Sequence, residues 1–240
     1  MKIKDKIKIN DRHGLAEHGP INVVILGDSV SHGAFKDYID YEKVYWNLLR
    51  RKLNAYNSYV PVNMINVSIG GTFAREAVGR VETQVLNHTP DLIIVCFGLN
   101  DVNGSLEEYV GALGQIFEKC LPSGADIIFM TPNMLNTYVA EDAPTKYLKY
   151  AAKTADMQNG GRMDEYMAAA KATAESMGIA VCDCYAKWKE LSKTQDVTML
   201  LDNRINHPTP EMHELFAAEL YSMIMEEQTE VGESDSTMYE

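Results

Sequence analysis

VVILGDSVSHG, residues 23–33, begins as a continuous apolar run and stops at a glycine, an acid and a hydroxyl. An apolar run without polar alternation is typical of a strand that is covered on both faces of a sheet. The loop that follows a buried strand is a common place for a reactive side chain. The stretch therefore predicts a buried first strand and makes Ser29 a candidate nucleophile, provided that a base and charge-stabilising donors lie close to it.

Four more apolar runs follow the first one along the chain, and segments with helical spacing separate them. The five predicted strands cover residues 21–27, 62–68, 91–98, 125–131 and 179–184. The predicted helices include residues 74–85, 106–120 and 163–177, and a last helix with Thr209 as its N-cap and Pro210 at its first position. Strands that alternate with helices pair in parallel through right-handed crossovers, which predicts a three-layer α/β/α sandwich with a five-stranded parallel sheet.

The same pattern predicts the domain organisation. Residues 21–226 form one domain, residues 1–20 are an N-terminal extension, and residues 227–240 are an acidic flexible tail that is poor in apolar groups. The connection over residues 132–160 is unusually long, and connections of that length are commonly functional. We expect it to hold a short helix around residues 145–153 and to wall a substrate pocket.

Composition excludes several classes of partner and site. The 240 residues carry 22 Lys and Arg against 34 Asp and Glu, a net charge of −12, which argues against nucleic acid and anionic membranes as partners. No stretch approaches the roughly 18 apolar residues that span a bilayer, and Asp5 interrupts the charged opening segment. Four cysteines are too few for a disulfide framework, and Cys182 and Cys184 are expected to be buried thiols in a strand. The expectation is a soluble, cytoplasmic protein.

Reactive residue types recur where the predicted strands end. Ser29 follows the first strand, Gly70 and Gly71 follow the second, Asn100 follows the third, and His207 precedes the last helix. In a parallel sheet these positions meet at the carboxyl edge. A serine hydroxyl needs a base to accept its proton, and the oxyanion formed in acyl transfer needs fixed donors. The set supplies the nucleophile, the base and the donors that acyl transfer requires.

This set resembles the SGNH hydrolases, the branch of the GDSL esterases and lipases named for Ser, Gly, Asn and His in four sequence blocks. The blocks are GDS, NVSIGGT, GLND and NHP, and the resemblance covers residues 21–225. It implies a flavodoxin-like α/β/α fold and ester hydrolysis with no metal and no cofactor.

The resemblance also implies a role for each matching residue. Ser29 corresponds to the nucleophile and its own N–H to one oxyanion donor. Gly71 matches the family's glycine best, with Gly70 as the neighbouring alternative, and Asn100 corresponds to the side-chain oxyanion donor. His207 corresponds to the general base.

One position departs from the family pattern. Many members carry the triad aspartate three residues before the histidine, where this chain has Arg204. The nearest acid is Asp202, five residues before His207. Either Asp202 reaches the imidazole along a different backbone path, or a main-chain carbonyl accepts the Nδ1–H and leaves a Ser-His dyad.

Other polar residues near these blocks are weaker candidates. Asp28, His32 and Asn133 are predicted to contact substrate, although Asp28 could instead cap the helix after the first strand. His213 lies beside the apolar stripe of the last helix, which favours a structural role. Arg75 is expected to be a solvated charge rather than an anion-binding group.

We therefore expect a serine esterase that hydrolyses short-chain acyl esters, with acetyl esters of carbohydrates as the first candidates. The partner would be a small-molecule or carbohydrate ester, and the oligomeric state stays open. Two alternatives remain: an O-acyltransferase that uses the same machinery, and a non-catalytic ligand-binding α/β module, which Arg204 at the usual acid position would favour.

Overall fold

Five short strands form one parallel sheet in the computed structural model, which describes residues 2–225. The strands are β1 (Ile21–Gly27), β2 (Val62–Asn66), β3 (Leu92–Cys96), β4 (Asp126–Met130) and β5 (Ala180–Cys182). Their order in the sheet is β2-β1-β3-β4-β5, and every neighbouring pair is parallel. This is the flavodoxin-like order. The predicted five-stranded parallel sheet is confirmed.

Helices cover both faces of this sheet. They are α1 (Lys2–Ile7), α2 (Arg12–His18), α3 (Ser29–His32), α4 (Tyr45–Tyr56), α5 (Ala74–Ala77), α6 (Leu106–Cys120), α7 (Leu148–Asn159), α8 (Arg162–Ser176), α9 (Cys184–Leu191) and α10 (Pro210–Met225). α4 packs against α10, while α6 packs against α5 and α8. The chain moves one way across the sheet from β1 to β2 and the other way from β2 through β3 and β4 to β5. Right-handed crossovers therefore place α4 on one face and α5, α6 and α8 on the other.

The central strands explain the unbroken apolar runs. Every residue of β3 is buried, as are Val23 through Leu26 of β1, because helices cover both of their faces. The edge strands β2 and β5 are only partly buried. Burial of the central pair fixes the carboxyl ends of β1 and β3 side by side, with Gly27 paired to Cys96.

The predicted helix over residues 74–85 is not a regular α-helix. α5 ends at Ala77, and 3-10 and π turns continue the segment to His88. Gly79 and the β-branched residues that follow it have low helix propensity, which accounts for the irregular turns. The predicted face is nevertheless right, since Val81 and Val85 are buried.

Two other segments also differ from their predictions. The connection over residues 132–160 holds a 3-10 turn followed by the 12-residue helix α7, more helix than the short one expected. Cys184 is the first residue of α9 rather than part of a strand, since β5 ends at Cys182. Both thiols are buried, as expected, with 3.7 Å between their sulfur atoms.

Helix α1, within the segment predicted as an N-terminal extension, is packed onto the domain. Ile3 and Ile7 of α1 are almost fully buried and belong to the main core. The backbone N–H of Ile3 donates to the carboxylate of Asp126 at the start of β4, at 2.8 Å. The first helix of that segment therefore covers the amino edge of the sheet.

None of the helices within residues 2–225 is long and apolar enough to cross a membrane. The predicted acidic tail, residues 227–240, lies outside the described residues.

Candidate active site

Ser29 is the first residue of α3 and follows β1 after a single intervening residue, Asp28. The Asp28 carboxylate accepts the N–H of Val30 at 3.1 Å and so caps the short helix. The turn needs glycine at position 27, because a Cβ there would lie 2.7 Å from the carbonyl oxygen of Cys96 on β3. This close approach presents Ser29 at the carboxyl edge of the sheet.

His207 lies against Ser29, although 178 residues separate them in the chain. Its Nε2 is 2.9 Å from the Ser29 Oγ, within hydrogen-bond distance. Its Nδ1 is 2.6 Å from the main-chain carbonyl oxygen of Phe35. Because a carbonyl oxygen can only accept, Nδ1 carries the proton and Nε2 is left to accept the serine proton.

Electrostatics keep this imidazole available as a base. Burial lowers the pKa of His207, and the hydrogen bond to Phe35 and the charge of Asp202 act in the opposite direction. The net shift is downward, which favours the neutral ring at neutral pH.

Asp202 does not bond to the imidazole. Its carboxylate oxygen accepts the backbone N–H of Lys36 at 2.6 Å, and its own N–H donates to the carbonyl of His207 at 2.7 Å. Of the two alternatives for the Nδ1 proton, the structure contains the main-chain carbonyl. The direct Asp-His contact of a triad is absent within the described residues.

Arg204, at the position where the family pattern has an acid, faces another partner. Its guanidinium pairs with Asp142 at 3.0 Å, and its backbone lies in the left-handed region with φ of 60°. The arginine therefore belongs to a surface ion pair and does not line the pocket beside Ser29.

The glycine and asparagine candidates lie around Ser29. Gly71 has φ of 80°, which favours glycine, and a Cβ on Gly70 would lie 3.6 Å from the Cβ of Ser29. The Gly70 N–H already donates to Nδ1 of His32 at 3.1 Å. The Asn100 amide donates one hydrogen to the carbonyl of Thr72 at 3.0 Å, and its second hydrogen remains for another acceptor.

The three predicted substrate contacts, Asp28, His32 and Asn133, each have hydrogen bonds to neighbouring residues. Asp28 and Asn133 are buried behind the site: Asp28 caps α3, while Asn133 donates to the carbonyl of Asn206 at 2.9 Å. His32 is partly exposed and is tied to Gly70 and to Tyr41. The Oδ2 atom of Asp28 and the Oδ1 atom of Asn133 are buried and have no hydrogen-bond partner within residues 2–225. Contact of the three side chains with substrate stays a prediction.

A pocket of about 340 Å³ opens over the Ser29–His207 pair. Its wall contains both glycines and Asn100 and, in addition, Lys36, Tyr147, Tyr150, Asn203, Ile205 and Asn206. Tyr147 and Tyr150 come from the long connection that was predicted to wall a pocket.

His213 has the structural place that the sequence favours. Its ring is fully buried, and Nδ1 accepts the N–H of Tyr45 at the start of α4, at 3.2 Å. Burial lowers its pKa to about 3, so the ring is neutral. Arg75 pairs with Glu108 on the surface, as a solvated charge would.

Two residues that hold His207 in place, Phe35 and Asn203, were not predicted from the sequence. Phe35 acts through its main chain, which leaves no mark on the sequence. The Asn203 side chain accepts the N–H groups of Ile205, Asn206 and His207 at 2.9–3.0 Å and so shapes the turn that carries the base. The signal for Asn203 is an asparagine shortly before a histidine in a turn-rich segment, a pattern typical of Asx turns.

Comparison with known protein families finds a match over most of the chain. The model of the GDSL-like Lipase/Acylhydrolase family matches residues 25–215. The uncharacterized lipoprotein YqeF of Bacillus subtilis is 33% identical over 89 residues, which are 37% of this chain and about a third (35%) of that protein. The cytoplasmic location expected from the sequence stays a prediction.

Solved structures share the fold. The acetylxylan esterase Axe2 from Geobacillus stearothermophilus superposes with a TM-score of 0.68 at 22% identity, over 86% of this chain and 95% of that one. The lipase/acylhydrolase from Enterococcus faecalis gives 0.65 at 20% identity, over 85% and 95%.

Proposed function

We propose that this chain, which belongs to the GDSL-like lipase/acylhydrolase family and is a carboxylic ester hydrolase, cleaves short acyl esters through an acyl-enzyme on Ser29. The observation that carries the mechanism is the 2.9 Å contact between His207 Nε2 and Ser29 Oγ. It pairs a nucleophile with a base whose other nitrogen is already held by a carbonyl.

Acylation begins with proton transfer. The Ser29 hydroxyl proton moves to His207 Nε2 while Oγ bonds to the ester carbonyl carbon, and the carbonyl π pair moves onto its oxygen. The Nδ1–H of the resulting imidazolium stays on the Phe35 carbonyl, which keeps the ring in place.

The oxyanion needs donors that are fixed before the reaction. The N–H groups of Ser29 and Gly71 and the second amide hydrogen of Asn100 are the donors we assign to it. Loss of one such donor typically costs about 10²–10³ in kcat. The bond from Asn100 to Thr72 holds the amide plane, so no reorganisation is needed when the charge develops.

The tetrahedral intermediate then collapses to the acyl-enzyme, and water hydrolyses the acyl-enzyme in a second stage. The carbonyl re-forms, the bond to the alcohol oxygen breaks, and the Nε2 proton passes to that oxygen. A water molecule next gives its proton to Nε2 and attacks the acyl carbon. The carbonyl re-forms again, Ser29 leaves with the proton, and the carboxylic acid is released.

The pocket wall supports a short acyl group on a polar alcohol. Its volume of about 340 Å³ is at the small end for a ligand site. Tyr147 and Tyr150 contribute aromatic rings and hydroxyl groups to the wall, and Lys36 and Asn206 contribute further polar groups, a combination suited to a sugar. An acetyl ester of a carbohydrate is the substrate that we propose, and the structural neighbour named as an acetylxylan esterase is in keeping with it.

The test is hydrolysis of p-nitrophenyl esters from acetate to octanoate by wild type, Ser29→Ala and His207→Ala. We expect turnover to be highest on acetate, and each variant to lose about 10³-fold or more in kcat with its thermal unfolding unchanged. His18→Ala, at the exposed end of α2, is the matched control and should keep full activity.

Two outcomes would change the proposal. Wild-type turnover no greater than that of Ser29→Ala would refute ester hydrolysis by this serine. Product appearing on an added sugar hydroxyl, in place of free acid, would instead establish acyl transfer by the same residues.

A further inference from the structure

One peptide group lies between Asp202 and His207. The carbonyl oxygen of Phe35 is 2.6 Å from His207 Nδ1, and the N–H of Lys36 is 2.6 Å from Asp202 Oδ2. The Phe35 carbonyl and the Lys36 N–H belong to the same planar unit, on opposite sides of the C–N bond in a trans peptide. The carboxylate and the imidazole therefore bond to the two ends of one dipole.

The segment around this peptide holds its plane. The N–H of Phe35 donates to the carbonyl of Tyr38 at 2.9 Å, and Ala34 and Ile39 form an antiparallel bridge. The Phe35 ring is buried, with ring centroids 5.1 Å from both Tyr38 and His213. The backbone contacts and the buried ring hold Phe35 in place next to the peptide.

A backbone hydrogen bond also joins Asp202 and His207 directly. The N–H of Asp202 donates to the carbonyl of His207 at 2.7 Å, and Leu201 and Pro208 form an antiparallel bridge beside it. The backbone thus fixes the acid and the base relative to each other, and the Phe35–Lys36 peptide spans the gap between their side chains.

We propose that Asp202 is a positioning residue that acts on His207 through the Phe35–Lys36 peptide group. The carboxylate on the N–H end polarises the amide and makes its carbonyl a better acceptor, as in other hydrogen-bond chains. The better acceptor holds the Nδ1–H tautomer and stabilises the imidazolium, which is the service that a triad aspartate performs by direct contact. The proposal rests on the proposed function of Ser29 and His207.

The titratable groups around His207 are consistent with a positioning role for Asp202. Asp202 acts to raise the pKa of His207, while buried His213 carries no charge at neutral pH. The Lys36 side chain lies in the pocket wall, and the Tyr38 ring stacks on Phe35. Asp202 is the anion joined to the base through the peptide.

The kinetic test is Asp202→Asn, which keeps a side-chain acceptor for the Lys36 N–H but removes the charge. We expect kcat for p-nitrophenyl acetate to fall about 10- to 100-fold, less than the ~10⁴ lost with a direct triad aspartate. KM should stay within about twofold. Since the imidazolium loses a stabilising charge, the acidic limb of the kcat/KM profile should move to lower pH.

Asp40→Asn is the matched control. The Asp40 carboxylate also accepts a backbone N–H in the same loop, that of Glu42 at 2.8 Å, but on a different peptide. It should leave kcat within about twofold and the acidic limb in place. Equal kinetics and equal pH profiles for Asp202→Asn and Asp40→Asn would overturn the proposal, because they would make Asp202 a simple anchor of the loop.

A second measurement needs neither turnover nor a variant. In the wild-type protein, the amide resonance of Lys36 should titrate with the same midpoint as the His207 ring, and the amide of Glu42 should not. A Lys36 amide that is flat through the His207 titration would also overturn the proposal.

The two failures are distinguishable. Wild-type turnover equal to that of Ser29→Ala would refute the proposed function alone, whereas a Lys36 amide that is flat through the His207 titration would overturn the coupling through the peptide alone.

Discussion

At the scale of single residues, Asp28 is a buried acid next to the nucleophile, and burial makes its ionisation unfavourable. Its side chain is buried, and one carboxylate oxygen has no hydrogen-bond partner among residues 2–225. Burial raises its pKa to about 7, and the charge of nearby Asp101 adds to the rise. The pKa of Asp101, also buried, is raised to about 6. The acid before Ser29 and the acid after Asn100 therefore both have a raised pKa.

Asp28 should make the fold less stable as the pH rises. The folded pKa of about 7 lies above the ordinary value of 3.8, so the native state binds more protons between these values. Unfolding free energy then falls as pH rises, by up to about 1.4 kcal/mol per pH unit for one proton. Asp28→Asn keeps an acceptor for Val30 and should flatten this fall between pH 4 and 7.

Urea unfolding at pH 5 and pH 7.5 measures the effect. Asp37→Asn, at an exposed position, should leave the wild-type pH dependence unchanged. An Asp28→Asn variant whose stability declines with pH as steeply as that of wild type would show that Asp28 ionises freely in the native state.

At the scale of secondary structure, α4 begins without a side-chain cap of its own. Val44 occupies the N-cap position and offers no polar atom, and His213 of α10 accepts the first N–H, from Tyr45. A helix N-terminus carries partial positive charge, so a neutral ring suits it and an imidazolium does not. This contact ties α4 to α10 behind the segment that supplies the Phe35 carbonyl.

His213→Ala tests that cap. The variant leaves the Tyr45 N–H without an acceptor and opens a cavity, so we expect a loss of about 2–4 kcal/mol at pH 7. Because the folded pKa of about 3 lies below the ordinary 6.5, the wild type also loses stability as pH falls through this interval. The variant should lack that acid-side loss.

Denaturant titrations at pH 7 and pH 5 would separate the two effects. His18→Ala, exposed at the end of α2, serves as the control and should match the wild type at both values. If His213→Ala were as stable as wild type at pH 7, the ring would not be a cap.

At the scale of the whole molecule, α1 closes the amino edge of the sheet, opposite the active site. Ile3 and Ile7 join the main core, and Lys6 pairs with Asp91 at 3.0 Å, just before β3. Burial on this scale makes the first helix part of the cooperative fold.

Ile3→Ala and Ile7→Ala should each destabilise the protein by about 2–4 kcal/mol, since each removes a buried branched side chain. Activity on p-nitrophenyl acetate should stay near wild type until unfolding begins, because α1 is at the far edge of the sheet. Lys8→Ala, exposed just after α1, should have no measurable effect on the urea midpoint. Unchanged midpoints for both isoleucine variants would mean that the helix is not docked.

Most of the fold could be predicted from the sequence, and the irregular segments could not. The runs around Val23 and Ile93 mark buried strands because a strand covered on both faces has no polar position to reveal. The segment after Ala74 has helical spacing on its buried face, yet Gly79 and its β-branched neighbours form 3-10 and π turns. Spacing records which face is buried and does not record how each turn is hydrogen-bonded.

The sequence predicts the five-stranded sheet, because unbroken apolar runs mark strands that are buried on both faces. It also predicts that Ser29, Asn100 and His207 meet at the carboxyl edge, because the first two directly follow strands and His207 precedes the last helix. The acceptor of the His207 Nδ1 proton became known from the folded structure. The acceptor is the carbonyl of Phe35, 172 residues away, and Asp202 bonds to the other end of the same peptide. Every residue carries the same main-chain carbonyl, so its role follows from where the fold places it and leaves no trace in the side-chain sequence.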